Sequence, residues 1–321
     1  MLSGDTMRKI RAGRRRFPIS LAWAACPLAL LFLVGNAKAN AVNLGDAANY
    51  TVLGIGGSAS HQSQFEIYQS DTVINGNVGV GPLSTWTHGM DATINGVLNN
   101  DGNVDPIITG TITGGVIHNT PAVNQAVADA LAASTVAAGL TPTQTYSTLT
   151  EGQTIVGNGG LNVIRVTGDI TLKTSLTLQG TASDQFVFQL TSNDPGHVVL
   201  TLSGMTMNLV GGVNAGNIIW DMDGVGGSIA ITSMASNQAV YGTFLAPDRT
   251  ILVDQGIIDG RVIGGGGPDA KTDDTISIHS SSQITAPPPV VAPVPMAALG
   301  GFALLAGLGC LRFIRTRPSA I

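Results

Sequence analysis

Residue types that commonly carry chemistry are few in this chain and widely spaced. The five histidines are His61, His88, His118, His197 and His279. No two of them have the His-Glu-x-x-His spacing of a zinc site, and a Gly-x-Ser-x-Gly nucleophile motif is absent. The glycine run at 264–267 lacks the lysine of a phosphate-binding loop. The sequence therefore predicts no catalytic residue and no cofactor.

One short segment has the alternating oxygen ligands of a calcium loop. Asp101, Asn103 and Asp105 occupy every second position. However, the segment lacks the glycine at the sixth position and the glutamate at the twelfth that an EF-hand loop needs. We expect these side chains to be solvated turn residues, with weak calcium binding as the alternative.

Charge is distributed unevenly along the 321 residues. Charged residues make up 11% of the chain, whereas about 25% is usual for soluble domains. Ten of the 15 basic residues lie before residue 40 or after residue 311, and the intervening body has five basic and 19 acidic residues. The body therefore has a formal charge of −14, which argues against nucleic acid as a partner.

The first 39 residues have the organisation of a secretory signal peptide. Six basic residues precede an apolar run at 19–34, and Ala37 and Ala39 form a small-x-small cleavage site. We predict cleavage after Ala39, with translation starting at Met1 or Met7. An uncleaved membrane anchor is the alternative. Both cysteines, Cys26 and Cys310, lie outside the exported body, which therefore contains no disulfide.

The C-terminus has three parts. A proline-rich linker at 286–295 precedes a membrane segment at 296–321, in which an apolar stretch ends at Arg312. The proline spacing of Pro293 and Pro295 resembles that of exosortase-type (PEP-CTERM, VPLPA-like) sorting signals. The resemblance implies processing by an exosortase-type enzyme and delivery to the cell surface or the extracellular space. A plain C-terminal membrane anchor is the alternative.

Residues 40–285 predict an all-β domain with one helix. Short apolar alternations recur between turn residues, which favours strands. Thr120–Ala138 has helical spacing at Val123, Val127, Ala130 and Leu131, with Thr120 as the predicted cap and Gly139 as the end. Asn-Gly and Asp-Gly pairs predict tight turns at Asn75-Gly76, Asn95-Gly96, Asp101-Gly102 and Asp259-Gly260. A sandwich of hairpins and an irregular parallel β-helix both fit this pattern.

The body also resembles the ice-binding-protein-like β-helix domain and the related choice-of-anchor surface domains. The resemblance lies in a series of segments that occur in the family's order. They are residues 44–53, 74–80, 176–178, 186–189, 217–220, 242–247 and 258–262. The family fold implied is a discontinuous right-handed β-helix with a long helix packed alongside.

Stacked strands would also provide a surface for water. Residues 40–286 contain 30 threonines, and stacked coils would repeat them about every 4.8 Å. A flat, uncharged Thr/Ser/Ala face could order water as in ice, so ice is the predicted partner; the residues that form this face are not identifiable from the sequence. The alternative is an adhesin or matrix protein that binds an extracellular surface or polysaccharide. A β-helix polysaccharide enzyme is disfavoured, because five basic residues are too few for a catalytic groove.

Overall fold

A computed structural model describes residues 41–58, 60–103, 105–191, 199–236, 238–267 and 274–287. The predicted signal peptide with Ala37 and Ala39 lies outside these residues, as do His197, Pro293, Pro295 and Arg312. Within the described ranges, no helix combines the length and the hydrophobicity needed to cross a membrane.

The described body contains short strands and one α-helix, α1 (Thr120–Gly139). In chain order the strands are β1 (Val52–Gly54), β2 (Ser63–Ile67), β3 (Val73–Asn75), β4 (Val78–Val80), β5 (Ser84–Trp86), β6 (Thr93–Ile94), β7 (Leu98–Asn100), β8 (Thr111–Ile112), β9 (Val116–Ile117), β10 (Gln144–Tyr146), β11 (Gln153–Val156), β12 (Leu161–Val166), β13 (Ile170–Leu172), β14 (Ser175–Gln179), β15 (Gln185–Leu190), β16 (Leu200–Ser203), β17 (Thr206–Val210), β18 (Ile218–Asp221), β19 (Ile229–Thr232), β20 (Val240–Ala246), β21 (Ile251–Asp254), β22 (Ile257–Gly264), β23 (Thr275–His279) and β24 (Gln283–Thr285). Two 3-10 helices cover Gly45–Asn49 and Ala215–Asn217.

Successive strands form the three faces of a β-helix. The first face, which we call the helix face because α1 packs on it, is the ladder β10-β12-β15-β18-β20-β22-β1-β4-β7-β9. The second, which we call the seven-stranded face, is the ladder β13-β16-β19-β21-β23-β2-β5. The third face contains β11-β14-β17 and, separately, the ladder β24-β3-β6-β8 beside the start of β22. Every strand pairing in the described ranges is parallel, so the β-helix prediction is confirmed and the hairpin sandwich is wrong.

The stack does not follow chain order. Strand β1 pairs with β22, with Val52 opposite Val262, so the N-terminal coils continue the end of the C-terminal coils. Helix α1 then connects β9, at one end of the ladder, with β10 at the other. Twenty helical residues span about 30 Å, a length that suits this return path along the stack. The coil is therefore discontinuous, as the resemblance implies.

Large side chains from neighbouring coils fill the interior. Trp220 stacks on Phe188 with ring centroids 3.9 Å apart, and Phe244 lies parallel to Trp220 at 6.0 Å. The indole N–H of Trp220 donates to the carbonyl of Tyr241 at 3.0 Å. Because the only polar atom of this ring is paired, the aromatic column is buried without an unsatisfied group.

Helix α1 packs through small side chains. Its buried positions include four alanines that meet apolar side chains projecting outward from the helix face. The alanines are Ala126, Ala130, Ala133 and Ala137, and their partners are Leu53, Val187, Ile219, Leu245 and Ile263. Of the four positions with helical spacing, Val123 and Ala130 are buried, whereas Val127 and Leu131 are only partly buried, at the rim of the contact. Alanine allows the helix axis to approach the sheet closely, so the smaller side chains form the centre.

Both ends of α1 are held by strand residues. The N-cap residue is Asn119, not Thr120 as predicted, and the Thr120 hydroxyl instead donates to Asp101. At the other end, the buried side-chain amide of Gln189 donates to the carbonyls of Ala137 and Leu140 at 2.8 and 2.7 Å. This amide satisfies carbonyls that the helix end leaves without a partner.

Replacement of this amide should therefore loosen the helix. We expect Gln189→Leu to lower the free energy of unfolding by about 2 kcal/mol, because the buried carbonyls lose their donor. Urea unfolding measures the change. The same substitution at the exposed Gln179 should change stability by less than about 0.5 kcal/mol. Equal effects at the two positions would contradict this role.

Glycines mark corners between faces rather than hairpins. Asn75-Gly76 and Asn95-Gly96 connect strands on the third face to strands on the helix face. The turn predicted at Asp259-Gly260 is wrong, since both residues lie inside β22. Gly260 lies opposite Gly242, and a Cβ at Gly260 would be 1.8 Å from the Gly242 carbonyl oxygen. Two facing glycines thus let neighbouring strands bend together from one face to the next.

Candidate functional site

The seven-stranded face is the broadest sheet surface that α1 does not cover. On five of its strands a residue with its side chain on the outer side of the sheet sits between two buried apolar residues; four of these central residues are exposed or partly exposed, and the fifth, Ser277, is 8% exposed. These triplets are Ile170-Thr171-Leu172, Leu200-Thr201-Leu202, Ile229-Ala230-Ile231, Ile251-Leu252-Val253 and Ile276-Ser277-Ile278. The flanking residues fix each strand to the core, so the central side chain must face away from it.

Strand register aligns these outward side chains in rows across the coils. The central row is Thr171, Thr201, Ala230, Leu252 and Ser277, in that order. On one side of it lies a row of Val199, Ser228, Thr250, Thr275 and Gln64. On the other side lie Ser203 and Thr232. The rows repeat about every 4.8 Å across the strands. They form a surface without ionisable side chains, mostly of Thr, Ser and Ala but including Leu252, Val199 and Gln64, which we call the Thr/Ser patch.

A cluster of ionisable residues borders the Thr/Ser patch. The Tyr68 ring lies between the rings of His88 and His279, each with its centroid 4.9 Å away. Glu66 accepts from the hydroxyl of Ser277 at 2.8 Å, and a carboxylate oxygen of Asp254 lies 3.3 Å from Nδ1 of His279. These ionisable groups of β2, β21 and β23 border the patch at one end, and Asp169 and Lys173, on either side of Thr171, border it at the other end.

The two other faces are less suited to contact a flat surface. The helix face is covered by α1 over β15, β18 and β20. The third face is interrupted, because β17 has no strand partner on its outer side within the described residues, and the described residues 233–236, 238 and 239 form no strand. Its row Thr154, Thr177 and Asn208 crosses three strands, and its row Gln283, Val73, Thr93 and Thr111 crosses four. The Thr/Ser patch is thus the largest regular array of outward side chains in the described body.

Sequence reasoning did not locate this patch. Each coil contributes one to three of its side chains, and the central positions are separated by 30, 29, 22 and 25 residues, so no fixed repeat is visible. The missed signal was the recurring apolar-x-apolar triplet with a small residue at its centre. Only the register between coils shows that these triplets lie side by side.

The residues suggested as calcium ligands have other partners. The Asp101 carboxylate accepts from Thr120, and Asp105 accepts from the side-chain amide of Asn100 at 2.7 Å. The backbone N–H of Asn103 donates to the carbonyl of Ser84 at 2.9 Å. In the ranges that the structure describes, no group of three or more His, Cys, Asp or Glu side chains converges on a metal position.

Solved structures of other proteins have a fold similar to that of this chain. An ice-binding protein from an Arctic yeast is 23% identical over 80% of this chain and 99% of its own, with a TM-score of 0.54. One from the Antarctic ascomycete Antarctomyces psychrotrophicus is 23% identical over 77% of this chain and 99% of its own, with a TM-score of 0.52. At these identities the likeness shows a shared fold.

The family assignment rests on the sequence. Among curated proteins, none is significantly similar to the chain. The family model described as ice-binding-like, however, matches residues 65–268, which is more than half of the chain. The matched range includes β2 to β22 and therefore most strands of the seven-stranded face. The chain belongs to the ice-binding-like family.

Proposed function

We propose that the protein binds ice, without catalysis, through the Thr/Ser patch of the seven-stranded face. The observation that carries the proposal is the register of this face, which aligns Thr171, Thr201 and Ala230 in neighbouring coils. The similar solved structures named above are ice-binding proteins, which supports the same function.

The chemistry of the Thr/Ser patch suits ordered water. The hydroxyl groups of Thr and Ser can each donate and accept hydrogen bonds with water. The methyl groups of Thr and Ala form no hydrogen bonds with it. Charged groups hold water in geometries that differ from ice, and here they lie at the border of the patch. An adhesin or matrix role, the alternative function, requires neither flatness nor the exclusion of charge.

Ice binding is tested directly on residues 40–286. We expect thermal hysteresis, ice shaping or inhibition of recrystallisation in a concentration-dependent manner. A folded fragment that neither shapes ice nor slows recrystallisation at high concentration would overturn the proposal. Circular dichroism supplies the check that the fragment is folded.

We propose further that the protein is exported and processed at both ends. Cleavage after Ala39 would release the signal peptide, and an exosortase-type enzyme would act near Pro293 and Pro295. Before processing, the 296–321 segment would anchor the body to the membrane with Arg312 on the cytoplasmic side.

Intact mass of the protein from cell fractions tests both cuts. We expect an N-terminus at Asn40 and loss of the residues after the proline motif. A full-length C-terminus in detergent-released membranes would argue against C-terminal processing and favour a permanent anchor.

A further inference from the structure

A polar cleft lies where the seven-stranded face turns into the third face. Its volume is about 510 Å³, and its lining includes three glutamines, Gln69, Gln255 and Gln283, together with Ser280. Met234 and Ser236, which follow the end of β19, also line the cleft. We call this feature the glutamine cleft. It is separate from the Thr/Ser patch, which lies on the flat part of the seven-stranded face.

The backbone along this corner repeats one unusual conformation. Directly after the seven-stranded face, neighbouring coils place Gly204, Ser233, Gln255, Ser280 and Gln69 in the left-handed region, with φ between 54° and 75°. Glycine adopts this conformation freely, whereas residues with a Cβ do so at a cost. Gly204 shows that glycine fits the corner. The turn therefore does not require side chains at the other four positions. Residues with a Cβ in the left-handed conformation concentrate at functional sites.

The lining chemistry indicates the class of ligand. Gln69, Gln255 and Gln283 are exposed in the cleft, and each side-chain amide can donate and accept hydrogen bonds. The lining contains no lysine or arginine, and its one carboxylate, Asp71, accepts from the hydroxyl of Ser281. Met234 and Ile257 add apolar surface. Amides, hydroxyls and apolar carbons without a cation suit an uncharged polyhydroxylated ligand better than an anion.

We propose that the glutamine cleft binds a segment of a neutral polysaccharide. The corner side chains repeat about every 4.8 Å along the stack. A glycan chain likewise presents its hydroxyl groups at regular intervals, one sugar unit after another. Gln69 and Gln255 would bond to sugar hydroxyls, and Ile257, which is more exposed than the buried Met234, would contact the apolar side of a ring. This site would hold the protein to a glycan matrix and leave the Thr/Ser patch free.

Titration calorimetry of the purified protein tests the proposal with cellohexaose, maltohexaose and laminarihexaose, and with oligogalacturonate as the anionic comparison. We expect at least one neutral hexasaccharide to bind and the anionic one not to bind. Gln255→Gly should weaken that binding by at least about tenfold. The melting temperature should be unchanged or higher, because glycine relieves the left-handed backbone.

The matched control is Gln179→Gly, which removes an exposed glutamine from β14 on the three-stranded part of the third face. Its glycan affinity should equal that of the unmodified protein. The proposal is overturned if no neutral hexasaccharide binds, if only the anionic one binds, or if Gln255→Gly binds as tightly as the control. Ice activity is read separately on the same variants and should not change with Gln255→Gly.

Discussion

Thr201→Tyr is expected to remove most of the ice activity of this protein. Thr201 lies in the middle of the Thr/Ser patch, between Thr171 and Ala230 on the neighbouring strands. A tyrosine there would project beyond its small neighbours and hold the patch away from a planar surface. We expect at least about a tenfold loss, which corresponds to about 1.4 kcal/mol of binding free energy. Thermal hysteresis against protein concentration measures it.

The matched control is Thr177→Tyr on the three-stranded part of the third face. Thr177 also lies between two strands, with Thr154 and Asn208 as its neighbours, so the substitution is the same in chemistry and local setting. Its activity should equal that of the unmodified protein. If Thr177→Tyr loses activity and Thr201→Tyr keeps it, the third face is the ice-binding surface and the present assignment is wrong.

Local structure was predictable because alternation and turn residues are local signals. The short apolar alternations of the body form strands, as at β15 (Gln185–Leu190), and the helix predicted at 120–138 extends by one residue. Gly260 shows the limit of such signals. An Asp-Gly pair suggests a turn in isolation, but here Gly260 lies opposite Gly242 within a bend shared by two strands.

Contacts between distant segments were not predictable from one sequence. The pairing of Val52 with Val262 closes the stack across about two hundred residues, and no local pattern specifies it. The Thr/Ser patch depends on the same kind of register, which is set by packing in the core. Similarly, helical spacing identified the buried Val123 and Ala130, whereas the burial of Ala126, Ala133 and Ala137 depends on the sheet that α1 meets.

Stability is expected to fall as the pH rises from 5 to 8, and Asp221 is the main reason. This residue, at the end of β18, is 1% exposed beneath α1. Burial raises its pKa from the ordinary 3.8 to about 8, although the Ser134 hydroxyl, 2.7 Å from Oδ1, favours the ionised form. The carboxyl therefore stays protonated in the folded protein at a pH at which the unfolded chain has released the proton.

The sign of the pH effect follows from this difference in bound protons. A folded pKa above the unfolded pKa gives stability that is complete below about pH 4 and is lost as the pH rises through about 8. The loss amounts to about 1.4 kcal/mol per pH unit, hence at most about 4 kcal/mol between pH 5 and 8. Burial also raises the pKa of Asp184, but hydrogen bonds from Thr181, Asn162 and Gly159 outweigh it and lower this pKa to about 2. Asp184 therefore affects stability only in acid.

Asp221→Asn isolates the contribution of this carboxyl. The amide oxygen can still accept from Ser134, but the side chain no longer titrates. We expect the variant to unfold with a much weaker pH dependence between pH 5 and 8 and to be more stable than the unmodified protein at pH 8. Urea unfolding at several pH values measures both effects. Burial also raises the pKa of Asp259, so some pH dependence should remain in the variant. An unchanged slope, or a loss of stability at pH 8, would contradict the assignment to Asp221.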